Sequence, residues 1–187
     1  QYYTFAKGNI DHIIKRNQSI KSFPFPFDTY RDGQREMAVS VYNTIKQKET
    51  LFIQAATGIG KTISTIYPAL KTLQKGYISK IMYLTAKTIT RAVAEDTTAF
   101  LYQLGCDLRV LTITAKDKIC FLEKSNCHKD YCSYALGHYD RINDAILDCL
   151  TNESLYTKEV VEQYARKHQV CPFELSLDLF LFSDISI

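Results

Sequence analysis

The sequence predicts an α/β fold in which a parallel sheet is flanked by helices and interrupted by a small helical insertion with four cysteines. Three observations carry this prediction. A glycine-containing turn joins a strand-like run to a helix-like run near residue 58. Further strand-like runs alternate with helix-like runs, which is the pattern of right-handed βαβ units. Four of the six cysteines stand apart from the apolar patterns, which indicates a site that they build together.

The turn lies within Thr50–Leu70, which reads TLFIQAATGIGKTISTIYPAL. The β-rich run Leu51–Gln54 enters the turn and a helix-like run leaves it, so it has the position of a phosphate-binding P-loop. Its glycines allow a tight turn and a close approach to an anion, and the helix start adds free N–H groups and the positive end of its dipole. The residues expected to bind ATP and Mg²⁺ here are Ala56, Thr57, Gly58, Ile59, Gly60, Lys61 and Thr62.

Two of these residues are the predicted catalytic ones. Lys61 is expected to reach the β- and γ-phosphates, and the Thr62 hydroxyl is expected to ligate Mg²⁺. One position departs from the consensus, because Ala55 stands where the first glycine is usual. The alternative is a plain strand-to-helix turn, which the flanking strand and helix make less favoured. The sequence therefore predicts a nucleoside triphosphate site.

Upstream of this loop, residues 1–28 are expected to form an arm or linker with one short helix. Its pattern places Ile10 and Ile14 on the apolar side and His12 and Arg16 on the polar side. A second helix follows and begins near Gln34. The Gln34 amide offers a donor and an acceptor together, which suits an adenine edge; the alternative is a solvated polar residue.

Two further strand-like runs are Lys80–Leu84 and Leu108–Thr114. In a parallel sheet all such strands end at one edge, where ligands bind. Both runs lead into the tripeptide Thr-Ala-Lys, at Thr85–Lys87 and Thr114–Lys116. Hydroxyls and lysines are common ligands of nucleic-acid phosphates. The alternative for Thr88, which follows the first tripeptide, is that it caps the next helix.

Composition and charge narrow the class of protein. The chain has 187 residues, 46% hydrophobic and 23% charged, as expected for a folded soluble domain. It shows no membrane-length apolar run and no signal peptide, so a cytoplasmic protein without membrane contact is expected. Residues 1–134 hold 19 Lys/Arg and 11 Asp/Glu; this surplus hints at a polyanionic partner, unless the lysines only improve solubility. A start at Gln1 without Met suggests a piece of something longer.

Four cysteines define the last candidate site. Cys120, Cys127, Cys132 and Cys171 follow the spacing C-x6-C-x4-C-x38-C. In a chain without a secretory signal, cysteines point to metal or catalysis before disulfides. A proline follows Cys171, as often happens beside iron–sulfur clusters. Zinc is the main alternative, although its structural sites favour spacings of two to four residues; a site without metal is the second alternative.

The remaining two cysteines, Cys106 and Cys149, lie in apolar helical patterns and are read as buried core residues. Two helices are predicted between Cys132 and Cys171, over 134–150 and over Thr157–His168. A further helix over Phe173–Phe182 and a strand that begins at Ile185 follow. The insertion is thus expected to span residues 116–171.

Together these residues resemble the first motor domain of iron–sulfur superfamily 2 helicases of the XPD/DinG type, from about Phe25 to the end of the chain. The resemblance is carried by Tyr30-Arg-Asp-Gly-Gln34, Ala55–Thr62, Tyr83–Thr88, the four cysteines and Cys171-Pro-Phe-Glu174. That superfamily tolerates alanine at the position of Ala55. The implied fold is a RecA-like P-loop domain, with motor residues 29–115 and 172–187 around the insertion.

The resemblance also implies roles for particular residues. Arg31 and Gln34 would read adenine, and the four cysteines would hold a 4Fe–4S cluster. Single-stranded or junction DNA would be the partner, with 5′-to-3′ unwinding and a role in DNA repair in the full-length protein. The residues implied in DNA contact are Thr85, Lys87, Thr88, Lys116 and Lys118.

One departure from the family pattern concerns the acidic Walker B box. That box completes the Mg²⁺ site and would follow the strand that begins at Ile185, as would the second motor domain. The chain alone is therefore expected to hydrolyse almost no ATP. Two other functions stay open from the residues alone: a metal-stabilised nucleic-acid-binding module with a vestigial P-loop, and a small-molecule kinase with a zinc-clamped lid.

Overall fold

The computed structural model describes residues 2–124, 126–128 and 130–187. Gln1 of the predicted arm and Ser125 and Lys129 of the predicted insertion lie outside the described residues. The chain divides into two compact units. The first is Ile10–Asp107, and the second combines Gln1–Asn9 with Leu108–Ile187.

Helices α2, α3 and α4 and one short strand belong to the first unit, together with most of helix α1. Helices α2 and α3 pack against each other, and the core includes Ile66, Leu70, Leu73 and Leu101, each at most 1% exposed. The bounds in this part of the chain are α1 Tyr2–Ser22, α2 Gln34–Gln47, α3 Lys61–Gln74, β1 Ile81–Met82 and α4 Thr88–Gln103.

Parallel strand pairing organises the second unit. Strand β2 pairs in parallel with β3 and also with β4, with Val110 opposite Leu155 on one side and opposite Ile185 on the other. The bounds are β2 Val110–Leu111, α5 Lys116–Ile119, α6 His138–Asn152, β3 Leu155–Tyr156, α7 Lys158–His168, α8 Pro172–Phe180 and β4 Ile185–Ser186. The predicted α/β class with a parallel sheet and flanking helices is confirmed.

Local sequence signals explain where several helices begin. The Thr157 hydroxyl accepts a hydrogen bond from the Val160 N–H at 3.4 Å and so caps α7. Helix α8 begins with Pro172, whose missing N–H costs nothing in the first turn. Helix α3 begins directly after Gly60 and continues through Pro68. These three helices lie where the sequence predicts them.

The predicted strand Leu51–Gln54 is wrong, because residues 50–56 form neither strand nor helix. Phe52, within that run, is 93% exposed. A strand exists only when a neighbour pairs its backbone groups, and that neighbour is not encoded in the run itself. Strands β1 and β2 are also shorter than the predicted runs Lys80–Leu84 and Leu108–Thr114. Strand β3 and helix α5 have no counterpart in the prediction.

The predicted apolar side of the first helix is reversed. Helix α1 has 21 residues and buries His12 and Arg16, whereas Ile10 and Ile14 are at least half exposed. Burial of these polar side chains is compatible with stability because partners exist: His12 Nδ1 lies 4.0 Å from an Asp107 carboxylate oxygen. Tertiary partners therefore override the apolar pattern.

Helix α4 buries Ala94, Thr98 and Leu101, while Val93 and Phe100 are more than a third exposed. The Thr98 hydroxyl donates to the Ala94 carbonyl at 3.0 Å, so its burial leaves no unpaired donor. Two small residues thus share the packed face with Leu101.

Within residues 2–124, 126–128 and 130–187, every helix is too short or too polar to cross a membrane.

Candidate functional site

The predicted P-loop forms a turn with two left-handed glycines. Gly58 and Gly60 both have φ of +84°, a conformation that favours glycine over residues with a Cβ. A Cβ on Gly60 would lie 2.5 Å from Gln34 Nε2, so the backbone also approaches a side chain closely there. Helix α3 begins at the next residue and points its N-terminus into the turn.

The P-loop lysine contacts its own loop. The Lys61 ammonium donates to the Ala55 carbonyl oxygen at 3.1 Å and to the Ala56 carbonyl oxygen at 2.7 Å. The side chain is exposed. These carbonyls are ligands that an incoming phosphate can replace, because an anion attracts the ammonium group more strongly.

A cavity of about 300 Å³ lies beside this loop, and Gln34 and Gly60 both line it. Gln34 is 3% exposed, and its Oε1 accepts from the Arg31 backbone N–H at 3.0 Å. The Arg31 guanidinium donates to the Gly58 carbonyl. Arg31 and Gln34, the two residues implied in adenine binding, thus both lie beside the glycine turn. The lining residues are Phe27, Asp28, Thr29, Arg31, Gln34, Gly60 and Ile63.

Two residues that lie near parts of the P-loop are missing from the predicted site residues. Phe27 is 50% exposed and lines the cavity. Tyr83 places its hydroxyl 3.5 Å from the Thr62 hydroxyl, which is long for a hydrogen bond between two hydroxyls. Neither contact follows from spacing along the chain.

The first Thr-Ala-Lys tripeptide is accessible. Lys87 is the N-cap of α4 without a side-chain capping bond, and Thr88 is the first residue inside the helix. Lys87 and Thr88 are exposed, and Thr85 is half-buried. The alternative in which Thr88 caps the helix is therefore wrong. In the second tripeptide Lys116 is half-buried and Thr114 is 3% exposed.

The four predicted cysteines surround one cavity of about 230 Å³ in the second unit. Cys132 is buried, Cys120 and Cys171 are half-buried, and Cys127 is exposed; all six cysteines are free thiols. Among the described residues, no group of three or more His, Cys, Asp or Glu side chains is arranged to hold a metal ion. The four thiols thus share one cavity, and a metal centre there stays a prediction.

Two groups at this cavity have shifted pKa values, one because of a hydrogen bond and one because of burial. A hydrogen bond with Cys127 raises the pKa of Lys116, and the Lys116 ammonium also lies 5.5 Å from the centroid of the Phe173 ring. Burial raises the pKa of the Cys171 thiol, which the N–H groups of Glu174 and Phe173 partly offset. Lys116 thus connects two sides of the cavity.

Aromatic contacts hold the segment next to Cys120. The Arg166 guanidinium lies 3.8 Å from the centroid of the Phe121 ring, and the Phe121 and Tyr134 rings have centroids 4.8 Å apart. Arg166 belongs to α7, so this cation–π contact attaches the cysteine segment to the helical part of the unit.

His138 also lines the cavity, and its position is not predicted by the sequence. The residue is 5% exposed, and its Nδ1 accepts from the Cys171 backbone N–H at 3.2 Å. Burial lowers the pKa of His138, with Arg141 acting in the same direction and Asp178 and Glu174 opposing. By contrast, His128 is exposed and lies outside the cavity lining.

The two cysteines read as core residues are buried. Burial raises the pKa of Cys106 to about 11 and that of Cys149 to about 12. Both side chains are at most 1% exposed, and neither lines the four-cysteine cavity. Their assignment to the core is confirmed.

The chain matches the model of a known protein family over most of its length. The family model of the DEAD/DEAH box helicases matches residues 34–162, which is more than half of the chain and contains the P-loop. The chain belongs to the DEAD/DEAH box helicase family. The match begins at Gln34, the residue buried beside Gly60, and it includes three of the four cysteines.

Two curated proteins related to this helicase-family chain cover different shares of it. A probable ATP-dependent helicase, MJ0942 of Methanocaldococcus jannaschii, is 32% identical over 58% of the chain, and the matched part is 16% of that protein. The ATP-dependent DNA helicase YoaA of Escherichia coli is 43% identical over 26% of the chain and 8% of its own length. The chain thus matches less than a fifth of the length of either relative. No solved structure matches the chain.

Proposed function

We propose that the chain is the N-terminal, ATP-binding part of an ATP-dependent DNA helicase of the iron–sulfur XPD/DinG type. The observation that carries the proposal is the P-loop of a DEAD/DEAH family chain, with Lys61 on its rim and Gln34 buried beside Gly60. The names of both relatives, an ATP-dependent helicase and an ATP-dependent DNA helicase, support it. Polarity of 5′ to 3′, a cytoplasmic location and a role in DNA repair remain part of the proposal.

In this proposal, the nucleotide occupies the glycine turn and the neighbouring cavity. Arg31 and Gln34 bind the adenine edge, and the loop from Ala56 to Gly60 binds the phosphates with its N–H groups. Lys61 leaves the carbonyls of its own loop for the β- and γ-phosphates. The Thr62 hydroxyl, 3.5 Å from Tyr83 Oη, ligates Mg²⁺ when ATP is bound.

The four thiols are the proposed ligands of a 4Fe–4S cluster. A 4Fe–4S cluster takes one thiolate at each of four iron atoms, so its ligands stand further apart than the ligands of one zinc ion. Cys120, Cys127, Cys132 and Cys171 all line one cavity, which supports a shared site for the four thiols. When bound, the cluster supplies a covalent link between the distant Cys171 and the other three cysteines. Zinc remains the alternative for the test.

DNA is the proposed partner of the lysines and hydroxyls at the strand ends. Lys87, Thr88 and Lys118 are exposed and would bind the phosphate backbone of single-stranded or junction DNA. Thr85 and Lys116 are half-buried and complete the proposed set. The domain division that goes with this proposal is an arm over 1–28, motor residues 29–115 and 172–187, and an insertion over 116–171.

The proposal is tested on the full-length protein, because both motor domains position the phosphoryl group and the chain alone is expected to hydrolyse almost no ATP. Purification without oxygen is followed by measurement of ATP hydrolysis with and without single-stranded DNA. Iron and zinc are quantified on the same sample. We expect hydrolysis that depends on DNA and about four iron atoms per chain. Salt-dependent DNA binding without hydrolysis would instead support the metal-stabilised binding module.

A further inference from the structure

The short segment between helices α7 and α8 is held by the first turn of α6. His138 Nδ1 accepts from the Cys171 N–H at 3.2 Å. One turn later, Arg141 donates to the Gln169 carbonyl oxygen at 2.6 Å and to the His168 carbonyl oxygen at 3.2 Å. Residues 138 and 141 thus bind three of the four residues from 168 to 171. The backbone just before α8 is therefore fixed by side chains of α6.

This contact joins parts of the cysteine site that are distant in sequence. Cys120, Cys127 and Cys132 lie within 13 residues, whereas Cys171 lies 39 residues after Cys132. Local chain geometry keeps the first three near one another, but only tertiary contacts can bring Cys171 to the same cavity. His138 lies six residues after Cys132, so its bond connects the distant ligand to the local group.

The surroundings of His138 match such a role. Only 5% of the residue is exposed, and it lines the four-cysteine cavity. The Tyr139 ring lies edge-on at a centroid distance of 5.3 Å and covers one side of the imidazole. A ring nitrogen that accepts a hydrogen bond carries no proton, so the neutral tautomer has its proton on Nε2.

We propose that His138 is a positioning residue for the metal cluster, acting through Cys171. The inference rests on the proposed function, because it assumes that the cavity holds iron and sulfide. The imidazole acceptor holds the Cys171 backbone at the cavity wall and limits the movement of that thiolate away from its iron. Groups that orient metal ligands in this way typically change metal affinity by about 10-fold to 100-fold when removed.

Two substitutions separate the hydrogen bond from simple packing. His138→Asn places an amide oxygen close to the position of Nδ1 and keeps an acceptor for the Cys171 N–H. His138→Leu fills a similar volume but has no acceptor. The matched control is His128→Ala, because His128 is exposed and lies outside the cavity lining.

The experiment measures iron release from full-length protein purified without oxygen. Iron and sulfide per chain, visible absorbance and the rate of iron transfer to a ferrous chelator are compared among the variants. We expect His138→Leu to release iron about 10-fold faster or more. We expect His138→Asn and the His128→Ala control to behave like the unmodified protein.

The opposite order overturns the inference: iron retained in His138→Leu and lost in His138→Asn means that packing alone matters. Equal loss in both, or retention in both, also overturns it. If His138→Leu does not fold, judged by circular dichroism, His138→Gln replaces it, because its amide lies near Nε2 instead of Nδ1; iron retention in that variant contradicts the proposal. An unmodified protein without iron contradicts the proposed function itself, which keeps the two failures distinct.

Discussion

The Lys61 ammonium donates a hydrogen bond to the Ala56 carbonyl oxygen at 2.7 Å. The P-loop lysine is therefore hydrogen-bonded to the backbone of its own loop, and its side chain is exposed. The ammonium group that now donates to the Ala56 carbonyl is the group expected to bind the phosphates. It can therefore exchange one partner for the other without repacking of the core. Substitution of this lysine should affect function far more than folding.

Lys61→Ala in the full-length protein is expected to reduce DNA-stimulated ATP hydrolysis by about 100-fold or more, since one preorganised electrostatic ligand of the reacting group commonly contributes that much. The thermal unfolding temperature should stay close to that of the unmodified protein. The control is Lys46→Ala, an exposed lysine on α2. Unchanged turnover in Lys61→Ala would end the helicase interpretation.

Lys87→Ala is expected to weaken DNA binding and to flatten the dependence of log K on log salt by about one unit, because each phosphate contact releases about one counterion. Lys118→Ala should have the same effect. Binding is measured with labelled single-stranded DNA over a salt series, and Lys75→Ala, exposed next to the C-terminus of α3, is the control. Equal slopes in all four proteins would assign Lys87 and Lys118 to solvated surface.

Serine substitution of any of Cys120, Cys127, Cys132 or Cys171 is expected to remove most of the iron and the visible absorbance. All four line one cavity, and a cluster needs a thiolate at each iron. ATP binding should remain, because the P-loop belongs to the other compact unit.

The matched controls for these variants are Cys106→Ser and Cys149→Ser. Both thiols are buried away from the cavity, so these variants should keep iron and lose only some stability. Iron retained in Cys171→Ser but lost in Cys149→Ser would show that a different fourth ligand is used. One zinc and no iron in the unmodified protein would replace the cluster with a zinc site.

Asp148 is expected to stabilise the second unit above its own pKa. Hydrogen bonds from Lys167 at 2.5 Å and from His168 at 2.7 Å hold the pKa of Asp148 below its ordinary value of 3.8. A group with a lowered folded-state pKa contributes its stability fully above the unfolded value. That contribution is lost as the pH falls below 3.8 towards the folded value.

Asp148→Asn should therefore reduce stability near neutral pH by about 1 kcal/mol at most, because Lys167 is largely exposed. The difference from the unmodified chain should shrink as the pH falls below 3.8 and vanish below the lowered folded-state pKa of Asp148. Chemical unfolding at a series of pH values measures it, with Asp96→Asn, an exposed carboxylate on α4, as the control. A difference that grows in acid would contradict the assigned sign.

Local signals made the glycine turn and one helix cap predictable. A glycine turn before Lys61 needs particular backbone angles over a few residues, and Gly58 and Gly60 adopt them. Thr157 caps α7 through a bond to a residue three positions away. Such features depend on neighbours in the chain, so the sequence alone is sufficient to locate them.

The grouping of the cysteines was predictable only in part. Spacing and polar surroundings separated Cys120, Cys127, Cys132 and Cys171 from the buried Cys106 and Cys149, and the structure brings the four to one cavity. The position of His138 beside Cys171 was not predictable, because the hydrogen bond joins residues 33 positions apart.

By itself, the sequence determined the α/β class, the P-loop and the two classes of cysteine, because short-range geometry and composition fix these features. Tertiary structure decided the rest. It left Phe52 exposed in a run that reads as a strand, and it buried His12 where the pattern predicted solvent. In both cases the outcome depends on a partner from a distant part of the chain, either a pairing strand or the Asp107 carboxylate. A local sequence pattern does not indicate whether such a distant partner is present in the folded chain.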